Sequence, residues 1–315
     1  MEQLLYYKYS DYLKQKYGEK VYKLPINLPI TCPNRINGSG CVFCAGIGTG
    51  FEACTEEVPV VDQLNANKKL VTKKYNAHKY IAYFQNYTNT FMPLDDFRKY
   101  LTAAMEIDNV VEISISTRPD CISEEYLRVM KDISTEYKCA INIELGLQTV
   151  NYHTLRKICR GHGLAEYLDA VYQIREFGFT VCTHVILNLP GDTIEDAVET
   201  ARIISAVKTD IVKVHSLYIA KNTILCEWYE NGTITLCEKE EYLQRLISFL
   251  EYLNPNIAVE RLFSRIPEKD AVFSNWGISW WKLHDETMDR MQKNGTYQGR
   301  HFNYLRGSAL RKIPI

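Results

Sequence analysis

Cys32, Cys41 and Cys44 stand in the spacing C-x8-C-x2-C with no fourth cysteine nearby. Thiolates are the usual ligands of iron–sulfur clusters, and four of them complete a [4Fe–4S] cube. Three leave one iron without a protein ligand and able to bind a substrate, much as a catalytic zinc keeps one open position. Two other readings stand beside this one, a zinc staple and chance clustering. A Cys3His zinc site needs a suitably spaced histidine, and the closest in sequence is His78, beyond an expected helix.

The other seven cysteines (Cys54, Cys121, Cys139, Cys159, Cys182, Cys226, Cys237) are scattered. They read as structural thiols, since free cysteine packs as a small hydrophobe. The opening Met-Glu-Gln-Leu-Leu-Tyr-Tyr-Lys lacks a signal-peptide pattern. No run approaches the roughly 18 apolar residues that span a bilayer. A cytoplasmic protein with no membrane partner is expected, and in that reducing compartment ten cysteines are not a disulfide framework. Hydrophobic residues at 46% and charged residues at 24% are an ordinary globular composition. The net charge of −1 excludes a global basic field, so any nucleic acid must be held by a local patch.

The elements that must hold the thiols alternate along the chain. Extended or apolar runs at 21–30, 80–84, 110–116, 140–145, 180–189 and 211–218 read as strands. Helical patterns cover 4–17, 60–77, 94–105, 124–134, 164–177 and 194–207. Such alternation argues for βαβ units and a parallel sheet. Six units are too few for the usual eight-unit barrel. The expected α/β fold is therefore a partial (β/α)6 TIM-type barrel over residues 1–218. Residues 219–315 should form a small α+β C-terminal extension, with helices at 238–253 and about 281–291 and a short strand at 257–261. Trp276, Trp280 and Trp281 are expected in its core.

Polar residues gather at the strand ends, where barrels of this kind bind ligands. Gln85, Tyr87, Thr88 and Asn89 follow the second strand, and Ser116 and Arg118 the third. Glu144 and Gln148 end the fourth, and Arg160 and His162 lie in a basic stretch beyond it. Ile186 belongs to the fifth strand. Alternation puts Lys213 and His215 on one face of the sixth. Each has a plainer alternative: a self-satisfied polar turn, an ion pair of Arg118 with Asp120 or Glu144, a solvated helix end, or a hydrogen-bonded core histidine.

With Phe43 just before its last cysteine, the thiol segment resembles the cluster loop of the radical S-adenosylmethionine (SAM) superfamily. Most members use C-x3-C-x2-C. The longer first gap resembles an Elp3-like subgroup and a bacterial family with its own C-terminal domain. Thr-Arg-Pro-Asp at 117–120 and Arg-Gly-His at 160–162 look like the same subgroup, so the resemblance covers nearly all of the chain. Asn188 and Asp192 depart from the family's usual Gly and Glu.

The resemblance implies a [4Fe–4S] cluster on Cys32, Cys41 and Cys44, with Phe43 beside it. It implies that Gln85, Tyr87, Thr88 and Asn89 face the amino group of SAM, and that Ser116, Arg118, Glu144 and Gln148 serve its polar parts. Arg160, His162 and His215 would touch SAM or substrate, and Ile186 the adenine. The implied reaction is reductive cleavage of SAM to a 5′-deoxyadenosyl radical. An external one-electron donor such as flavodoxin or ferredoxin is implied, since no second cluster motif appears. Relatives in this subgroup modify tRNA wobble uridines, converting carboxymethylaminomethyl to aminomethyl in one family. The chain shows no acetyltransferase region, a departure that puts a full Elp3-type reaction in doubt.

Two features fit an RNA partner. Lys68, Lys69, Lys73, Lys74 and Lys79 fall in a stretch without acids. Lys293, Arg300, Arg306, Arg311 and Lys312 accumulate near the C-terminus with Tyr297, His301 and Tyr304. Basic groups attract phosphate and aromatics stack on unpaired bases; a solvated helix face and a basic tail are the alternative. A peptide or small metabolite as substrate, and a non-enzymatic zinc module, remain the rival functions.

Overall fold

The computed structural model describes residues 4–36, 38–45 and 54–312. The expected loop end near Gly50 and the side chain of Lys312 lie outside the described residues. Nine strands are present among them: β1 Val21–Ile26, β2 Lys79–Phe84, β3 Val110–Thr117, β4 Ala140–Gln148, β5 Thr180–Ile186, β6 Ile211–His215, β7 Ile219–Ala220, β8 Ala258–Arg261 and β9 Ala271–Phe273. The helices are α1 Tyr9–Tyr17, α2 Pro33–Ile36, α3 Val60–Tyr75, α4 Leu94–Ala104, α5 Glu124–Tyr137, α6 Tyr152–Lys157, α7 Leu164–Glu176, α8 Ile194–Ala206, α9 Ile224–Glu230, α10 Lys239–Tyr252 and α11 Trp280–Lys293.

Seven strands form one parallel sheet in the order β1-β2-β3-β4-β5-β6-β8, curled into a half-barrel. Alternation explains its two faces. Ile113 and Ile115 of β3 and Ile141, Ile143 and Leu145 of β4 pack outward. They meet the apolar stripes of α5 (Leu127, Met130, Ile133) and α7 (Tyr167, Val171, Ile174). The residues between them, Glu112, Ser114, Asn142 and Glu144, point into the lumen and are buried there.

The expected partial barrel is what forms, with one more strand than the six read from sequence. The run expected at 257–261 within the extension pairs with β6 and becomes the seventh strand. Ala258 and Val259 are buried, and α10 supplies the crossover that a parallel neighbour needs. The opening helix starts at Tyr9 rather than residue 4, because the preceding segment is extended: Val259 N donates to Tyr7 O at 2.8 Å. α1 then packs against both β1 and β8, the two edges of the sheet. Helices α6 and α9 were not foreseen; α6 is capped by the Asn151 side chain, which accepts from His153 N and Thr154 N.

Beyond β8 the chain turns back over the C-terminal ends of the strands, and β9 pairs antiparallel with β7. Ser216 Oγ donates to Asn275 Oδ1 at 2.6 Å and Asn275 Nδ2 donates to Ser264 O at 3.0 Å, pinning this return. Trp276 is partly buried and packs against the main core, its ring 5.1 Å from Tyr242 and its Nε1 donating to Cys237 O. Trp280 and Trp281 are not: they are 39% and 50% exposed. Among the described residues no helix is long and apolar enough to cross a membrane.

Leu246 of α10 is fully buried in the main core. Leu246→Ala should cost about 2–5 kcal/mol and lower the urea midpoint of a single cooperative transition. A separate early transition would instead show the C-terminal stretch melting on its own.

Candidate active site

The cysteine loop leaves β1 and is anchored from outside. Pro33 opens α2, where its missing N–H costs nothing. Val42 N donates to Ile158 O at 3.1 Å, and Leu225 N donates to Val42 O at 2.9 Å. The Val42 side chain is buried with Leu155, Ile158, Ile186, Leu217 and Leu225. The loop between Cys41 and Cys44 is thus clamped to the chain after β4 and after β6.

Each cysteine sulfur faces one guanidinium. Arg118 Nη1 lies 3.7 Å from Cys32 Sγ, Arg160 Nη1 3.6 Å from Cys41 Sγ, and Arg35 Nη2 3.5 Å from Cys44 Sγ. Backbone acceptors hold two of the three: Arg35 Nη2 donates to Ala45 O at 2.6 Å, and Arg160 Nη2 to Gly146 O at 2.8 Å. Asn34 Nδ2 donates to Arg160 O at 2.9 Å and lies 3.4 Å from Cys41 Sγ. Two glycines permit this crowding. A Cβ on Gly146 would sit 2.4 Å from Arg160 Nη2. One on Gly161, whose φ is +79°, would sit 2.3 Å from Asn34 Oδ1.

The donor set fits an iron–sulfur cube. Burial pushes the Cys44 thiol up and Arg35 opposes it, so a thiolate there needs the positive charge that a metal centre brings. Among the described residues, Glu144, Cys182 and His184 are the one ligand triple whose atoms all lie within 4.8 Å. The three loop sulfurs are spread wider than that. A single tetrahedral zinc would bring them to about 3.8 Å from one another, given its Zn–S distance of about 2.3 Å. The Glu144 triple itself is no cation site, because Lys23 Nζ and Lys213 Nζ already lie 2.6 and 3.4 Å from the carboxylate.

A cavity of about 390 Å³ opens above the thiols at the C-terminal ends of the strands. It is lined by the three cysteines together with Phe43, Gln85, Tyr87, Thr88, Ser116, Arg118, Glu144, Gln148, Arg160, Ile186 and His215. Tyr87 and Gln148 hold left-handed backbone there, at φ 54° and 77°; such strain is concentrated at functional sites. Two expected residues do not line it. Asn89 Nδ2 is spent on the carbonyls of Phe84, Asn86 and Ser116, so it braces the turn after β2. His162 lies buried outside the cavity wall, its proton affinity pushed down to about 3 by burial and by Arg160. Arg118 forms the ion pair foreseen as its alternative, a fork on Asp120 at 2.8 and 2.6 Å.

The floor of the cavity is a polar network that the sequence reading missed. Every strand of the main sheet gives one side chain: Lys23, Tyr83, Ser114, Glu144, His184, Lys213 and Glu260. Glu144 accepts from Lys23 at 2.6 Å, Ser114 at 2.7 Å, His184 Nε2 at 2.7 Å and Lys213 at 3.4 Å. All four acceptor positions of its carboxylate are filled. Glu260 pairs with Lys23 at 2.7 Å and Lys213 at 3.1 Å. Both carboxyls are held below their ordinary range by the two lysines, against burial. His184 is neutral, so the Nε2 facing the carboxylate carries its proton.

The sequence pattern of the Radical SAM superfamily matches residues 26–204, and that of the Radical_SAM C-terminal domain matches residues 209–293. The chain belongs to the radical SAM superfamily. An uncharacterized protein of Methanocaldococcus jannaschii is 31% identical over 96% of this chain and 94% of its own. A tRNA uridine(34) acetyltransferase of Dehalococcoides mccartyi is 25% identical over 53% of this chain and 36% of its own. The fold is also that of Elp3 from Methanocaldococcus infernus with its N-terminus deleted, at TM-score 0.69 and 17% identity. That superposition covers 88% of this chain and 64% of the Elp3 chain, so this chain spans under two thirds of it.

As a radical SAM enzyme the chain uses a [4Fe–4S] cluster and SAM. Cys32, Cys41 and Cys44 would hold the cluster, which with SAM supplies a carbon radical that removes hydrogen from a substrate. Arg35, Arg118 and Arg160 offset the negative charge of the thiolates. Phe43 and Ile186 present apolar surface to the cavity, and Gln85 and Ser116 present neutral polar groups.

The basic features expected to meet RNA lie elsewhere. Lys73 and Lys74 end α3, which runs back to the start of β2. The C-terminal segment packs on the same edge, where Gln298 Nε2 donates to Ile257 O just before β8 and Tyr304 OH to Tyr252 O. Both therefore sit at the N-terminal edge of the sheet, opposite the cysteines. At the cavity itself, Arg265 lies 3.7 Å from the ring centre of the exposed Trp280.

Burial and neighbouring charges lower the pKa of His162, His184 and His215. Below about 6.5 the unfolded chain takes up protons that the folded chain refuses, so stability falls as pH falls. Each histidine contributes up to about 1.4 kcal/mol per pH unit, and that of His162 ends near its folded value of about 3. Urea unfolding of the cluster-loaded protein from about pH 7 to pH 5 should show the net slope of the three histidines, offset in part by Asp192, whose carboxyl burial pushes up to about 6, and lessened by one proton in His162→Gln. A flat profile would contradict it.

Proposed function

We propose that this radical SAM enzyme acts on the side chain of a tRNA wobble uridine, converting carboxymethylaminomethyl to aminomethyl. The observation that carries the reading is the cavity mouth: above the three cysteines, Arg265 stacks on exposed Trp280 with Trp281 beside it in sequence. An arginine–aromatic pair of this kind suits a base turned out of its stack. The similarity to a tRNA uridine(34) acetyltransferase over about half of this chain supports the same substrate class. The reaction runs in the cytoplasm with an external one-electron donor such as flavodoxin or ferredoxin.

A second reading, a peptide or small metabolite as substrate, is favoured by one observation: the lysine-rich helix end and the basic tail face away from the mouth. Nucleoside analysis of tRNA from cells lacking the gene separates the two. The proposed function predicts loss of aminomethyluridine and its derivatives, with carboxymethylaminomethyluridine accumulating. An unchanged profile would overturn the tRNA assignment and leave the radical chemistry standing.

A further inference from the structure

Most of the charged side chains lining the cavity have a partner, and Arg265 lies over the Trp280 ring. Lys23 and Lys213 are matched by Glu144 and Glu260 in the floor. Arg118 is matched by Asp120, and Arg35 and Arg160 are aimed at cysteine sulfurs and backbone carbonyls. Arg261, the last residue of β8, also lines the cavity. It is half-buried, and its guanidinium has no hydrogen-bond or ion-pair partner among the described residues. A partly desolvated cation without a partner is unfavourable unless a ligand supplies the opposite charge.

The surroundings suit an oxyanion. In the sheet Arg261 lies opposite Lys213 on β6, two residues from His215. His215 Nδ1 lies 3.2 Å from Ser264 Oγ, while its Nε2 is shut from water and has no hydrogen-bond partner. All of the charged groups near His215 are cationic or already paired: Lys213 and Arg261 carry positive charge, His184 is neutral, and Glu144 is saturated. With Lys213 matched by Glu144 and Glu260, the unmatched charge at the corner between β6 and β8 is that of Arg261, in the same cavity that the cysteines line. A guanidinium presents a planar fork that matches a carboxylate or a phosphate.

We propose that Arg261 binds a carboxylate of the substrate, holding the acid end of the side chain so that the adjoining carbon faces the radical source. The proposal rests on the tRNA reading and names the group that this site recognises. A carboxylate could also come from SAM, and a phosphate from the RNA backbone would offer the same oxyanion. The test distinguishes these sources.

Reconstituted full-length protein is titrated with two anticodon stem-loop RNAs, one bearing carboxymethylaminomethyluridine and the other aminomethyluridine at the wobble position. SAM affinity is measured by equilibrium dialysis. Wild-type protein should bind the carboxylate-bearing RNA about tenfold more tightly, the size of one charge-assisted hydrogen-bonded pair. Arg261→Gln should bind both RNAs alike at the weaker level and keep its SAM affinity and cluster absorbance. Arg261→Lys should retain part of the preference. Equal binding by wild type, or a preference kept in Arg261→Gln, would overturn the proposal. So would a variant that loses both RNAs equally, which assigns Arg261 to a phosphate, or one that loses SAM. Wild-type protein that binds neither RNA would overturn the tRNA reading itself, and the proposal with it.

Discussion

The ion pair between Lys23 and Glu260 spans the open side of the half-barrel. Lys23 is on β1 and Glu260 on β8, the two edges of the sheet, and their charged atoms meet at 2.7 Å. Among the described residues no backbone ladder joins β1 to β8, and this pair and α1 bridge them. The pair cannot stand alone in a lumen with little water. It is neutralised within a set of two lysines and two glutamates, completed by neutral His184, Ser114 and Tyr83. Removing one member of such a set leaves a buried charge uncompensated, at a cost of about 3–5 kcal/mol. One side chain from each strand therefore fixes register and curvature together.

That floor determines what can sit above it. Since Glu144 has all its acceptor positions filled and both lysines are matched, the floor is a neutral, rigid surface rather than a ligand-binding group. The next layer toward the mouth is where charge is left to act on ligands. Three guanidiniums turn to three sulfurs, Arg265 lies over Trp280, and Arg261 has no such partner among the described residues. Guanidinium contacts to cluster sulfurs stabilise added negative charge and so favour reduction. The cysteines that would hold the cluster and the unmatched Arg261 thus line one cavity.

Much of this was legible in the order of residues, and the exceptions have physical reasons. The thiol spacing is local and could be read directly, as could Arg118 beside Asp120, two residues away. The outward faces of β3 and β4 follow from alternating apolar residues. The strand β8 reads from sequence as part of an extension because a run as short as Ile257-Ala258-Val259 carries no sign of which sheet it joins. Lys23 and Glu260 lie 237 residues apart and each looks like an ordinary solvated charge until the sheet brings them together. Asn89 sits in a polar turn that resembles a ligand-binding motif, yet its amide serves three carbonyls. For the lysines of α3 the signal was present: a helix leading into the next strand ends at the edge opposite the ligand mouth.

The most direct test of the account is the chemistry of the three thiols. Anaerobically reconstituted protein, given SAM and a strong one-electron reductant, should be brown, carry a four-iron cluster, and release 5′-deoxyadenosine and methionine. Cys41→Ala should lose both the colour and the product. A colourless protein holding one zinc per chain, or a brown one that leaves SAM intact under these conditions, would contradict it.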